Sequence, residues 1–144
     1  MTEIGLVASI IAVIQISQDV ITRAYKYGKA VKNAKEDMER AADNIKDLQN
    51  TLTKLKDLAE RAETSSRPLT LWPTLESLRK KDSPLPKCQS DLESLQPGLA
   101  PVSLWKRSRA RAQWPHKVKE INQTLQSITR QKELLREALN IDQA

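Results

Sequence analysis

The chain has 144 residues, 24 Lys+Arg against 18 Asp+Glu for a formal net charge of +6, and 39% hydrophobic with 29% charged residues. That much apolar side chain excludes an intrinsically disordered protein and is enough to build one core without metals or disulfides. Three glycines, no Phe and an excess of good helix formers exclude a β-sandwich or α/β fold and predict an all-α domain.

The first segment, TEIGLVASIIAVIQISQDV, offers Thr2 as N-cap and Glu3 in the first turn, and then carries no charge until Asp19. It predicts a helix near 3 to 31. The charge-free positions 4 to 18 span about 22 Å at 1.5 Å per residue, short of the roughly 30 Å of a bilayer core, so they do not read as an autonomous transmembrane span. Ile4, Val7, Ile11, Ile14 and Ile21 share one side, and Ile10, Val13, Ile16 and Val20 widen the stripe. A helix apolar nearly all round is expected at the centre of its bundle, where a carboxylate at Ile11 or Ile14 would be costly, or in lipid.

Gly28 is expected to break or hinge the chain, and Asn33 with Glu36 to form an N-cap and N3 pair opening a helix near 33 to 63. Its seam is Met38, Ala41, Ile45, Leu48, Leu52, Leu55, Ala59 and Ala62. The proline- and serine-rich middle, 64 to 101, predicts short helices and turns, one of them carrying Leu71, Leu75 and Leu78. Ser83 and Pro84 start a helix near 84 to 96 with Leu85, Cys88, Leu92 and Leu95 on one line. A short basic helix follows, and Pro115 restarts the chain as a long helix to 141 with Val118, Ile121, Leu125, Ile128, Leu135 and Leu139 inside and Lys132 on the same line. Together these predict a four-helix-bundle-like domain over residues 1–144, with extra short helices in the middle.

The chemistry of catalysis has little to work with. His116 is the one imidazole, Cys88 falls at a core spacing, and three scattered glycines cannot form a phosphate loop, so no catalytic residue, metal site or cofactor is expected. The strongest charge signal is a run without acids holding Lys106, Arg107, Arg109, Arg111, Lys117 and Lys119, flanked by Trp105 and Trp114. Cations beside an amphipathic ring suit an anionic lipid headgroup, and this set with Trp105 is the candidate anionic-lipid patch. Two readings compete with it: core tryptophans among merely solvated charges, and nucleic-acid binding, which lacks any base-reading motif here.

The segments EIGLVASIIAVIQISQDV, VKNAKEDMERAADNIKDLQNTLTKL and WPHKVKEINQTLQSI resemble the N-terminal domains of fungal NOD-like receptors. Within these STAND proteins the likeness is to the HeLo-like group, including the type named after azaphilone pigment cluster protein L, which is akin to the four-helix domain of the necroptosis pseudokinase. The resemblance spans Thr2 to about Asp142 and implies a cell-death effector, cytoplasmic at rest and at the plasma membrane once activated. It implies homo-oligomerisation, anionic membrane lipids as partners, and a receptor ATPase and repeat domains downstream in a longer chain. The membrane-insertion helix would comprise Ile4, Leu6, Val7, Ile10, Ile11, Val13, Ile14, Ile16 and Val20, with Gly28 as its hinge. A homotypic adaptor bundle that never touches lipid is the alternative.

Overall fold

The structure, a computed structural model, describes residues 5–64, 77–78 and 83–143. Four long α-helices are formed among the described residues: α1 (Gly5–Ala30), α2 (Lys35–Thr64), α3 (Pro84–Gly98) and α4 (Arg107–Gln143). No strand occurs among the described residues, and the all-α bundle expected from composition is the fold. Thr2, Glu3, Ile4 and the expected helix through Leu71 and Leu75 lie outside the described residues.

The helices pack as a four-cornered ring in which α1 touches α2 and α3, and α4 touches α2 and α3. Polar ties give the directions. Gln96 near the end of α3 reaches Asp19 of α1, Trp114 reaches Asp37 at the start of α2, and Lys132 reaches Asp47 further along both helices. Helices α1 and α3 therefore run one way and α2 and α4 the other. The α1–α2 turn and the α3–α4 turn consequently lie at the same end of the bundle.

The core follows the expected seams of α2 and α3: Met38, Ile45, Leu48, Leu52, Leu55, Leu85 and Leu92 are fully buried. Lys132 does lie on the inner line of α4, between Ile128 and Leu135, where burial of its ammonium is compensated by Asp47 Oδ2 at 2.8 Å. Hydrogen bonding from Lys132 holds the Asp47 carboxyl below the usual carboxylate range, aided by Arg136 at 2.8 Å. Cys88 is a packed thiol whose pKa burial pushes up to about 12.

Four expectations are corrected. First, α1 is a corner of the ring rather than its centre, and its inner line is Leu6, Ile10, Val13, Ser17, Val20, Ala24 and Tyr27. The expected line through Val7, Ile11, Ile14 and Ile21 flanks it instead: Ile21 is buried, Val7 and Ile14 are half-buried against the core and Ile11 is exposed, because this line runs on through Gln18 and Lys29, whereas the inner line stays small or apolar to the helix end. Second, α1 is 26 residues long and holds an 18-residue window of mean hydropathy 1.6, so it meets the length and composition of a membrane span that its charge-free stretch did not.

Third, Gly28 breaks nothing. It is buried within the last turn of α1, and a Cβ there would stand 3.2 Å from Met38 Cβ and 3.4 Å from Lys35 Cα, so its role is to let α1 and α2 approach. The chain turns at Val31, which has an extended backbone, and continues through a short 3₁₀ turn at Lys32–Ala34.

Fourth, Pro115 does not restart a helix: it lies inside the 37-residue α4. Its missing N–H leaves the carbonyl of Arg111, four residues back, without its helical donor. Asn33 Nδ2 donates to that carbonyl at 3.1 Å. Asn33 is thus no N-cap for α2, since its amide is directed across the interface to repair a helix it does not belong to.

Candidate membrane interface

Two surfaces hold the residues singled out above. The first is the N-terminal half of α1. Here Leu6, Ile10 and Val13 are buried, as is Val20 further along, while Val7, Ile14 and Ile16 are half-buried and Ile11 is 38% exposed. No side chain from positions 5 to 16 makes a hydrogen bond or ion pair among the described residues. Among the described residues, apolar packing alone holds this half. From position 17 on the attachment changes character: Gln49 Nε2 donates to Ser17 Oγ at 3.2 Å, Lys46 Nζ to Tyr25 Oη at 2.7 Å, and Gln96 Nε2 to Asp19 Oδ2 at 2.8 Å. Those ties from Gln96 and then Arg23 hold the Asp19 carboxyl below its ordinary range.

The second surface is the end of the bundle where the two turns meet. Pro101 bars a helix after α3, Ser103 is extended, and Leu104–Lys106 form a 3₁₀ turn before α4 begins. Leu104 and Trp105 precede the inward line of α4, which starts with Ala110 and Trp114, so neither reaches the core: they are 76% and 84% exposed. Lys106 Nζ stands 5.9 Å from the Trp105 ring centroid. Lys106, Arg107, Arg109, Arg111 and Lys119 are exposed around this tip.

The two tryptophans of the basic run have opposite fates. Trp114 is 3% exposed, packs on Tyr27 at 5.4 Å between ring centroids, and donates Nε1–H to Asp37 Oδ2 at 3.0 Å. Lys117 is drawn in with it, half-buried with its ammonium 4.8 Å above the Tyr27 ring, and burial lowers its pKa. Lys117 therefore leaves the expected lipid patch and joins the clamp between α1 and α4, while the other six members remain on the surface. No family model matches this chain, and no curated protein or solved structure matches it either.

Sequence reasoning missed two parts of this surface. Leu104 carries no signal in the sequence, and only the turn geometry turns it outward beside Trp105. The second omission is a run of lysines from the other turn: Lys26, Lys29, Lys32 and Lys35, all exposed, are more than 70 residues from the α4 arginines in sequence and at the same end in space. A cleft of about 190 Å³ between the two runs is lined by Arg23, Lys26, Tyr27, Leu99, Val102 and Arg107. The signal for it was the absence of acids between Val20 and Lys35.

Proposed function

We propose that this chain is a membrane-targeting effector domain of the cell-death type, held inactive as a folded bundle and acting at an anionic membrane when copies cluster and α1 leaves its corner. The observation that carries this reading is the construction of α1. Its first three turns carry no charge, make no polar tie to the rest of the bundle among the described residues, and leave Ile11 in contact with solvent. Moving such a segment from the bundle into lipid breaks no side-chain hydrogen bond or ion pair among the described residues, whereas moving a segment with buried polar partners would cost about 1–3 kcal/mol for each group left unsatisfied. The resemblance to fungal receptor effector domains supports the same reading. The homotypic adaptor draws its support from the Val7, Ile11 and Ile14 stripe, which a second copy could cover.

The test is dye release from anionic vesicles by clustered protein. Because Ile11 is 38% exposed, its replacement by Glu reaches water in the resting bundle and leaves folding stability within about 1 kcal/mol. The same carboxylate opposes entry into the hydrocarbon by about 2.5–3.5 kcal/mol if it sits at the bilayer centre. Folded Ile11→Glu protein should bind vesicles and fail to release dye. Release at the wild-type rate would remove α1 from the mechanism, and clustering with no release by either protein would favour the adaptor.

A further inference from the structure

We infer that the bundle docks on an anionic bilayer end-on, through the end that carries both turns, with Leu104 and Trp105 entering the headgroup boundary between two banks of cations. This rests on the membrane reading above and adds to it an orientation, a wedge and a second bank. One bank is Arg107, Arg109 and Arg111, all exposed around the first turns of α4. The other is Lys26, Lys29 and Lys32 at the end of α1 and the turn after it, absent from the patch expected from sequence. The acids nearest this end are Glu36, Asp37 and Glu39, against Lys26, Lys29, Lys32, Lys35, Lys106, Arg107, Arg109 and Arg111; Glu39 shares a cleft with Lys29 and Lys35, and Asp37 is engaged by Trp114 Nε1 at 3.0 Å and by Arg40 at 2.8 Å. The end therefore presents a net positive face, which draws a surface of opposite sign.

The choice of a bilayer over a nucleic acid rests on the tip. A base could stack on Trp105, but Leu104, 76% exposed and adjacent to it, offers a base nothing and offers an acyl chain its whole side chain. An aliphatic and an indole side by side, ringed by Lys and Arg, match a boundary that is apolar below and anionic at its surface.

The orientation has a consequence for α1. Ile11 lies nineteen residues before Ala30, about 28 Å along the axis at 1.5 Å per residue. Docked end-on, the bundle holds its apolar, loosely tied segment on the far side from the lipid. Docking is thus a separate step that releases no dye, and the segment must leave the bundle to reach the membrane.

The full 144-residue chain should be titrated with phosphatidylcholine vesicles with and without phosphatidylserine, at low salt. Each lysine near such a surface contributes about 1 kcal/mol, so Lys26→Gln with Lys29→Gln and Lys32→Gln should weaken binding to the anionic vesicles by on the order of 100-fold. The matched removal of Lys54, Lys56 and Arg61, at the opposite end of α2, by Gln substitutions should change binding by less than about threefold despite the same change in net charge. In protein carrying Trp72→Phe, brominated lipid should quench the fluorescence, and adding Trp105→Phe should lose that quenching with circular dichroism unchanged. Equal weakening by the two triple variants, or quenching that survives in Trp105→Phe, overturns end-on docking, as does salt-sensitive binding to duplex RNA with none to anionic vesicles. Docking as described with no dye release under any clustering would leave this inference standing and sink the effector reading. Dye release indifferent to the Lys26 triple would do the reverse.

Discussion

The two halves of α1 belong to one unbroken helix and are held in the bundle by different physics. Positions 5 to 16 rely on Leu6, Ile10 and Val13, fully or nearly fully buried, with no polar tie among the described residues. Positions 17 to 30 add Ser17, Asp19, Arg23 and Tyr25 bonded to α2 and α3, and Tyr27 clamped under Trp114. Apolar packing is non-directional and can be exchanged for lipid at little cost, whereas hydrogen bonds and ion pairs require their partners. The contrast makes one half of a single helix weakly tied and the other half its anchor.

Removing the anchor should have the largest effect. Trp114→Ala deletes a buried indole, its contact with Tyr27 and its bond to Asp37, and should cost about 3–5 kcal/mol of stability, measured by urea denaturation. Amide exchange in residues 17–30 should rise to the level of residues 5–16, erasing the difference between the halves. If the second half stays protected, the clamp is not what anchors it.

A cavity in the other half should widen the contrast. Ile10→Ala empties a fully buried site and should cost about 2–5 kcal/mol against complete unfolding. Exchange should accelerate in residues 5–16 while residues 17–30 keep their protection relative to the global value. Uniform acceleration along α1 would mean that the helix opens as one unit.

The smallest effect is that of acid. The Asp19 carboxyl is held below its ordinary 3.8 by the Gln96 hydrogen bond and then by Arg23. A depressed carboxylate contributes stability above its unfolded value, and that contribution is lost as pH falls through the folded value. No titratable side chain lies between Gly5 and Ile16. Lowering the pH below 3.8 should therefore loosen the second half toward the first, read as a narrowing gap in exchange protection, and Asp19→Asn should reproduce part of that narrowing at neutral pH.

Two misplaced expectations, Asn33 as a helix cap and Pro115 as a helix start, share one explanation. Each expectation rests on the residue's usual local role, and locally both are sound. In three dimensions the donor that Pro115 lacks is supplied by Asn33, 78 positions away from the carbonyl that needs it, so two apparent boundaries become one tertiary hydrogen bond. The tryptophans teach the same lesson. Trp105 and Trp114 flank one basic run nine residues apart, and only the register of α4 turns one into the bundle and leaves the other 84% exposed.

The sequence by itself determined the helical class, the inner lines of α2, α3 and α4, the buried Lys132 and Cys88, and the charge-free stretch of α1, because all of these follow from side-chain periodicity within one helix. The tertiary structure decided which side of α1 faces inward, because both candidate lines are apolar over the first three turns and only the neighbours beyond them differ. It also decided that the lysines of the first turn meet the arginines of the last helix beside Leu104 and Trp105. Charges separated by more than 70 residues form one surface only when helix lengths and directions bring their turns to the same end, and no local pattern encodes that.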